Sequence, residues 1–332
     1  MVLRNKKLQQ RVREIQQFID EQYKPSHPAK PRDWCAYEQQ WYARLRHATD
    51  LLEPLVAEAC SRIRVHAGPG PKHALDLRQR VLILLLQRWC DQSNRMMSCL
   101  LLLFSALSKV RLSYKSVERL YSDHDVLLAL HNLHVLILKK QGVDVVDACG
   151  DATGYSLTIT KHYATEATRR KDKAKTQDGV KKFVYVFRLL DLDTHLYLAY
   201  GTSFKSEREA FDQAVQMLRA LDVRVRSIRL DRYYSAPCYV DEFPDAIVYL
   251  IPKKNAKLKG GGHWKRMLID FYNNQTRYLE QYFKRNNSEN EFGNDKKHFG
   301  WGLPQRRDDR IDTASFAITE LHNLLHLNEQ TG

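Results

Sequence analysis

The hydrophobic pattern changes at Gly142, and this change constrains the fold more than any other feature of the sequence. Before Gly142, apolar residues recur at helical spacing through residues 6–22, about 34–65 and about 75–107. After it, short runs rich in β-branched and aromatic residues predict strands at 143–149, 183–190, 195–200, 226–230 and 246–251. Helices are predicted at 206–221, 235–243 and 313–327. A strand meander followed by alternation with helices predicts an α/β fold with a mixed five-stranded sheet flanked by helices.

The chain of 332 residues is long enough for two domains. We predict an α-helical N-terminal region over residues 1–141 and an α/β domain over residues 142–332. Within the first, residues 113–136 form two apolar helical segments separated by Ser122 and Asp123. This spacing is compatible with a helix-turn-helix that reads DNA, and equally with a helical hairpin that only packs. DNA binding is therefore one of two interpretations of this region.

The charge balance favours a polyanionic partner. Lys and Arg total 53 against 39 Asp and Glu, which gives a net charge of +14 and a pI near 9.4; nucleic acid is the leading candidate. Two clusters could line a DNA path or could be solvated loops. The first contains Arg169, Arg170, Lys171, Lys173, Lys175, Lys181 and Lys182, and the second contains Lys253, Lys254, Lys257, Lys259, Lys265 and Arg266.

Cysteine usage and hydropathy predict a soluble, cytoplasmic protein. The six cysteines are scattered without a C-x-x-C pair, as expected for free thiols in a reducing compartment. The first residues continue into charged sequence without the apolar core of a secretory signal. The apolar runs 81–86 and 100–104 are separated by charged residues, so neither can span a membrane.

Four polar residues near the C-terminus have a spacing that suits catalysis. Tyr282, Arg285, Glu289 and Lys296 lie at offsets of 3, 7 and 14, which on one continuous helix place them within an arc of about 60°. A carboxylate would then share a face with two cations and a phenol, an arrangement suited to a metal held against a phosphate backbone. The alternative is a solvated stripe with an ordinary i,i+4 ion pair.

Two upstream aspartates could complete a metal site with Glu289. Phosphodiester chemistry commonly uses two divalent metals held by carboxylates from different elements. Asp231 directly follows the strand predicted at 226–230, although an aspartate there can also be a helix cap. Around the first strand, Asp151 is preferred because small residues on both sides allow close approach of a ligand. Asp147 is the reserve, and Asp144 is assigned to the solvent edge.

These residues carry a resemblance to a known family. Asp151-Ala-Thr-Gly-Tyr-Ser, Asp231-Arg-Tyr-Tyr and Tyr282-x2-Arg285-x3-Glu289-x6-Lys296 resemble the DDE transposases of bacterial and archaeal insertion sequences that carry the Tyr-Arg-Glu-Lys signature. The resemblance covers roughly residues 142–326. It implies a ribonuclease-H-like catalytic core in which Asp151, Asp231 and Glu289 bind two Mg²⁺ ions, with Mn²⁺ as a substitute.

The resemblance also implies roles for DNA and for the remaining signature residues. Tyr282, Arg285 and Lys296 would contact the terminal inverted repeat near the scissile phosphate. Activated water would cut the strand, and the freed 3′-OH would attack target DNA. A homodimer assembled on DNA and a nucleoid-associated, cytoplasmic location are expected.

One segment departs from the family pattern. Many members carry a long β-rich insertion between the second Asp and the Glu, whereas only residues 251–281 are available here. Trp264 or Tyr272 in this segment could stack on a flipped base, and the alternative is that such an aromatic is a core residue.

Two pairs of histidines and two other functions are alternatives. His322 and His326 have i,i+4 spacing, but packing on the last helix is the preferred interpretation over zinc binding. His131 and His134 make a similarly poor metal site, and the Ser and Cys residues lack the context of a covalent hydrolase. The competing functions are a transposase-derived DNA-binding regulator that no longer cuts DNA, and a nuclease without strand transfer. The clustered carboxylates argue against the regulator, since a binding module has no use for them.

Overall fold

The computed structural model describes residues 4–28, 33–65, 75–105, 109–157 and 183–327. The described part of the first 141 residues is helical, as predicted, and a π-helical turn, Ile19–Tyr23, joins its first two helices. These helices are α1 (Asn5–Phe18), α2 (Lys24–Ser26), α3 (Trp34–Cys60), α4 (Leu77–Trp89), α5 (Asn94–Leu103), α6 (Tyr114–Leu120) and α7 (His124–Lys140). Among the described residues, every helix is too short or too polar to serve as a membrane span.

The described residues after 142 form one mixed sheet with helices around it, which confirms the predicted α/β class. The strands run in the order β3-β2-β1-β4-β5, with β1 antiparallel to β2 and parallel to β4. The strands are β1 (Val145–Ser156), β2 (Phe183–Asp191), β3 (Tyr197–Ser203), β4 (Arg224–Leu230) and β5 (Ile247–Tyr249). The helices are α8 (Glu207–Arg219), α9 (Pro237–Val240), α10 (Gly262–Asn273), α11 (Gln275–Phe283), α12 (Asn286–Phe299) and α13 (Asp308–His326).

The first strand is longer than the predicted segment 143–149. β1 continues to Ser156 because the antiparallel ladder with β2 runs without interruption from Ala148 to Ser156. At Gly150, the side chains of neighbouring residues fill the space that a Cβ would occupy. An added Cβ would lie 2.6 Å from the Phe187 ring. Asp151 therefore lies within β1 and not after its end.

Helix α13 forms the centre of the molecule. It is buried along almost its whole length, and it packs against α3, α4 and α7 on one side and β3 on the other. His134 of α7 bonds Glu320 of α13 at 2.8 Å and the backbone carbonyl of Leu198 at 2.9 Å. The N-terminal helices thus share one continuous core with the sheet. The division into two domains at residue 141 stays a prediction.

The predicted pair of helices in segment 113–136 is present as α6 and α7. Ser113 caps α6, and Asp123 caps α7 by accepting from the backbone N–H groups of Asp125 and Val126. Most apolar residues of α7 face the core. Packing therefore accounts for this face, and DNA reading by the pair stays a prediction.

Gly201 of β3 allows α8 to pack directly on the sheet. A Cβ at this position would lie 2.8 Å from the Ala214 nitrogen and still closer to the Ala210 carbonyl oxygen, both backbone atoms of α8. We expect Gly201→Ala to lower the free energy of unfolding by about 3 kcal/mol, because a helix backbone cannot yield as a side chain can. Urea denaturation measures this change.

Gly293 provides the matched control. It lies in α12, and an added Cβ there would meet nothing within 4 Å. Gly293→Ala should leave stability unchanged or raise it by up to about 1 kcal/mol, since Ala is the better helix former. Equal effects of the two substitutions would contradict the close packing of α8 on β3.

Candidate active site

Three carboxylates from three different elements converge on the guanidinium of Arg285. Arg285 Nη2 lies 2.8 Å from Glu289 Oε1 and 3.5 Å from Asp231 Oδ1, and Nη1 lies 3.7 Å from Asp151 Oδ2. The structure thus brings together the three acids that the sequence selected, together with one of the predicted phosphate-binding cations.

The sheet register explains why the two aspartates meet. β1 and β4 are parallel neighbours, and Gly150 of β1 is paired with Leu230 of β4. The next residue of each strand, Asp151 and Asp231, therefore extends from the same edge on backbones about 5 Å apart. Asp231 also caps a 3-10 turn by accepting from the Tyr233 N–H, so it has the capping role that the sequence offered as an alternative in addition to its place in the site.

The prediction that the four signature residues share one continuous helix is wrong. α11 ends at Phe283 and α12 begins at Asn286. At the junction, the N–H groups of Arg285 and Ser288 bond the carbonyls three residues back, at 3.1 and 3.0 Å, so the turn tightens. The backbone stays in the right-handed helical region, and for that reason Glu289 in the first turn of α12 still reaches Arg285.

Burial disfavours the ionised form of the Asp151 side chain. Burial raises the pKa of Asp151 to about 6, with Asp231 and Glu289 acting in the same direction, while the Ala152 N–H and Arg285 oppose the rise. The folded state therefore binds this proton more tightly than the unfolded chain, whose value is near 3.8. The contribution of Asp151 to stability consequently falls as pH rises from about 4 to about 6, and it is least favourable at neutral pH.

We expect Asp151→Asn to stabilise the protein at pH 7 in the presence of a chelator. The substitution removes a buried charge of nearly the same shape, and the free energy of unfolding should rise by about 1–2 kcal/mol. Thermal and urea denaturation at pH 7 measure the gain, which should shrink as pH falls from about 6 to about 4.

Asp147→Asn is the control of opposite sign. A hydrogen bond from Arg226 lowers the pKa of Asp147 to about 2, with further help from Ser227 and Arg229. Its charge therefore stabilises the fold at pH 7, and Asp147→Asn should be destabilising. Destabilisation by Asp151→Asn as well would contradict the electrostatic account of the site.

Tyr282 contacts Arg285 through a hydrogen bond and through its ring. The Arg285 Nε–H donates to the Tyr282 hydroxyl at 3.1 Å, and the guanidinium carbon lies 5.6 Å from the centre of that ring. Tyr282 is buried, and burial raises the pKa of its phenol. The Arg285 Nη1 group is buried without a hydrogen bond within the described residues. Charge attraction therefore holds the Arg285 guanidinium among the three acids, although not all of its N–H groups donate a hydrogen bond.

Lys296 lies further along the same face of β1. Its Nζ donates to Thr153 Oγ1 at 2.6 Å, and it lies 5.3 Å from the centre of the Tyr155 ring and 5.4 Å from that of Trp301. Thr153 and Asp151 are two residues apart on one strand, hence about 7 Å apart. Lys296 is therefore placed beside the carboxylates and in contact with the same strand. Trp301 is 65% exposed, and no sequence signal had singled it out.

A buried ion pair fixes α12 onto the sheet. Arg188, opposite Asp151 in the β1–β2 ladder, bonds Asp295 Oδ2 at 3.2 Å, and Tyr197 donates to the same oxygen at 2.9 Å. The other Asp295 oxygen bonds His322 of α13 at 2.8 Å. Asp295 directly precedes Lys296, so this pair sets the position of the helix that carries both Glu289 and Lys296.

The N-terminal helices contribute one wall of the cleft at this site. The cleft has a volume of about 580 Å³ and contains Asp231, Arg285 and Glu289. The wall is formed by Gln16, Ile19, Tyr23, Lys24 and His27. Sequence reasoning missed these residues, because nothing in the pattern of a single helix indicates which distant element it packs against.

The remaining predicted residues are placed as follows. Asp147, the reserve acid, lies four residues before Asp151, about 13 Å along β1, and is held by the arginines of β4. Trp264 is 2% exposed and donates its indole N–H to the Lys257 carbonyl, a placement that favours its interpretation as a core residue. Lys253 and Lys254 are exposed. Arg169 and Arg170 lie outside the described residues.

A second polar cluster contains ligand-type side chains, but its hydrogen bonds are internal. Possible ligand atoms of Glu291, His322 and His326 lie within 4.8 Å of one another. Both ring nitrogens of His322 are already engaged, one with Asp295 and the other with the His195 carbonyl, each at 2.8 Å. This agrees with the packing interpretation of His322.

The donor set of the first cluster suits a hard divalent cation. Asp151, Asp231 and Glu289 offer only carboxylate oxygens, the ligand type that Mg²⁺ requires, and they come from a strand, a strand end and a helix. Arg285 balances one of the three negative charges. Glu289 and Asp231 are partly open to the cleft, which leaves a route for a phosphate to approach.

Comparison with known proteins gives the family. The chain is 41% identical over 312 residues to a probable transposase for insertion sequence element ISA1214 from Archaeoglobus fulgidus, and the match covers 94% of this chain and 92% of that protein. The chain belongs to the insertion-sequence transposase family. No protein-family model and no solved structure matches it.

The similarity extends over the helical region as well as the sheet, since at most 20 of the 332 residues lie outside the 312 that are matched. The transposase is therefore similar to that relative in both its helical region and its α/β region. The coarse sequence-based prediction of a transposase is confirmed.

Proposed function

We propose that this transposase cleaves the ends of its element and transfers the freed 3′-OH to target DNA by two-metal-ion phosphodiester chemistry. The observation that carries the proposal is the convergence of Asp151, Asp231 and Glu289 on Arg285, next to a solvent-open cleft that Asp231, Arg285 and Glu289 line. The relationship to an insertion-sequence transposase supports DNA as the substrate. The terminal inverted repeats and the target are then the two DNA partners.

In this proposal the three carboxylates hold two Mg²⁺ ions, or Mn²⁺ as a substitute. The bound metals would supply activation of the attacking oxygen and stabilisation of the leaving oxygen. Arg285 and Lys296 would neutralise phosphate charge, and the Tyr282 hydroxyl would hold the Arg285 guanidinium in orientation. Because Lys296 bonds Thr153, which lies about 7 Å along β1 from Asp151, it would bind a phosphate next to the one that is cut.

The fold is proposed to be ribonuclease-H-like. This assignment is supported by the mixed five-stranded sheet, by acids on the central strand and at the end of its parallel neighbour, and by a third acid on a following helix. Residues 251–281 consist of a loop followed by α10 and most of α11, with no strand in this range, so helices stand in place of a β-rich insertion. Lys253 and Lys254 are proposed to extend the DNA surface.

The N-terminal helices are proposed to bind DNA, and two copies of the chain are proposed to pair the two element ends. Arg169 and Arg170 remain candidates for DNA contact on the strength of their charge alone.

The test is an in vitro reaction with DNA that carries the element's own terminal repeats. Wild type and Glu289→Gln are compared with Mg²⁺, with Ca²⁺ and with chelator, and products are mapped at nucleotide resolution. The proposal predicts cleavage at the repeat end and joining of that 3′ end to target DNA, both in wild type with Mg²⁺ only. Absence of metal-dependent cleavage would favour a DNA-binding regulator, and cleavage without joining would favour a nuclease.

A further inference from the structure

The N-terminal segment from Gln16 to His27 lines the same cleft as two of the three carboxylates, Asp231 and Glu289. Tyr23, Lys24 and His27 are its cleft residues nearest the end of the segment. A strand of DNA bound in this cleft would lie beside these side chains. The position of this segment therefore bears directly on what holds the substrate.

The segment is anchored at several points. The Tyr23 ring is stacked on Phe283 of α11, with centroids 4.8 Å apart and an interplanar angle of 15°. Arg232, the residue after Asp231, donates to Gln16 Oε1 at 3.0 Å. Earlier in α1, Gln9 donates to the Ala256 carbonyl at 3.2 Å. The wall is thus fixed to the elements that carry Asp231 and Tyr282.

A π-helical turn lies at the point where the segment meets the cleft. Residues Ile19–Tyr23 form this turn, and Ile19, Tyr23, Lys24 and His27 all line the cleft. A π-turn inserts one residue into the helical repeat and changes the direction of the side chains that follow, and such turns often occur at functional sites. The local distortion here aims a cation and two rings at the cleft.

The exposed groups of the wall suit a nucleic acid strand. Lys24 bonds Asp20 at 2.9 Å, but both side chains are more than half exposed, so this pair is weak and its cation can turn to a phosphate. The His27 ring is stacked on Tyr23 at 4.2 Å. Its Nδ1 lies 2.9 Å from the Tyr23 carbonyl oxygen and 3.1 Å from Ser26 Oγ. The ring is therefore held in place with its edge and outer surface exposed.

We propose that this segment is a DNA-contacting wall of the catalytic cleft, with Lys24 on a phosphate of the strand to be cut and His27 packed against that strand. The inference rests on the proposed function for the identity of the strand. It goes beyond that function by assigning substrate contacts to individual residues of the segment from Gln16 to His27.

A double-mutant cycle on binding tests the proposal without catalysis. Lys24→Ala, His27→Ala and the control Lys7→Ala, an exposed lysine of α1 outside the cleft, are each titrated with terminal-repeat DNA in chelator. A series of DNAs replaces one phosphate at a time, near the cut site, by a neutral methylphosphonate. Lys24→Ala should weaken binding about 3- to 10-fold and lower the slope of log affinity against log salt by about 0.9, whereas Lys7→Ala changes neither.

The cycle identifies the contact. One methylphosphonate within about three nucleotides of the cut should weaken binding by wild type but not by Lys24→Ala. His27→Ala should weaken binding less than Lys24→Ala, since it removes a packing contact and not the lysine that neutralises a phosphate. Equal effects of Lys24→Ala and Lys7→Ala, or no coupled phosphate near the cut, would overturn the proposal. Failure of the proposed function would instead appear as wild-type binding without cleavage once Mg²⁺ is added.

Discussion

Glu289→Gln is expected to reduce the rate of metal-dependent end cleavage by at least about a thousandfold, which corresponds to about 4 kcal/mol of transition-state stabilisation. The substitution keeps the shape of the side chain and removes the charge of one of three acids around Arg285. A neutral amide is a much weaker ligand for a hard divalent ion than a carboxylate. Single-turnover cleavage of terminal-repeat DNA in Mg²⁺ measures the loss.

DNA binding should survive this substitution. Glu289 repels phosphate, so Glu289→Gln should bind terminal-repeat DNA in chelator as tightly as wild type or more tightly. Glu280→Gln is the control, because Glu280 is an exposed acid of α11 that does not line the cleft. It should cleave at the wild-type rate. Retention of wild-type cleavage by Glu289→Gln would remove Glu289 from the site.

Asp295→Asn is expected to have the largest effect on stability, a loss of about 3–5 kcal/mol in the free energy of unfolding. Asp295 and Arg188 are both almost inaccessible to solvent, and their charges neutralise each other. An amide in place of Asp295 leaves the Arg188 charge buried without its counterion. Urea denaturation with far-UV circular dichroism measures the loss.

An exposed ion pair gives the control for this substitution. Asp309 pairs with Arg307 at 2.9 Å, but the two side chains are 46% and 62% exposed. Asp309→Asn should change the free energy of unfolding by no more than about 1 kcal/mol. Similar losses for the two variants would contradict the view that the Arg188–Asp295 pair fixes α12.

The pH dependence of stability gives a second test of the role of Asp295, because Asp295 also bonds His322. Burial lowers the pKa of His322, but the charge and hydrogen bond of Asp295 outweigh it and raise that pKa above 6.5. The protonated ring therefore contributes stability that is fully present below about pH 6.5 and is lost as pH rises through the raised pKa. Asp295→Asn should flatten this dependence above about pH 6.5, whereas Asp309→Asn should leave it unchanged.

The fold class could be predicted because, in each half of the chain, the hydrophobic pattern matches the secondary structure that forms there. Helical periodicity and strand composition are properties of neighbouring residues, so the helical region and the five strands could be predicted from them. The C-terminal end of β1 could not be predicted in this way. Gly150 and Gly154 weaken the strand signal locally, and pairing with β2, a contact between distant segments, extends the strand through residues 150–156.

The candidate site divides in the same way. Asp231 was predicted from its place after a strand, and Glu289 from its spacing to Arg285 and Lys296. The anchoring of these residues depends on groups distant in sequence, namely Arg188 with Asp295, and Tyr23 with Phe283. A buried arginine within an apolar strand carries no sequence signal for its partner. The helical spacing of the four signature residues predicted their proximity, although the helix that carries them is interrupted.

The most direct test of the carboxylate site replaces an acid by a ligand that distinguishes two metals. Asp231→Cys is assayed for end cleavage in Mg²⁺ and in Mn²⁺, with wild type as the reference for the ratio of the two rates. A thiolate is a poor ligand for Mg²⁺, whereas Mn²⁺ accepts softer ligands more readily. We predict a loss of at least about a hundredfold in Mg²⁺ and a Mn²⁺-to-Mg²⁺ rate ratio at least about tenfold above that of wild type. A ratio equal to that of wild type would contradict metal binding by Asp231 and, with it, the central claim.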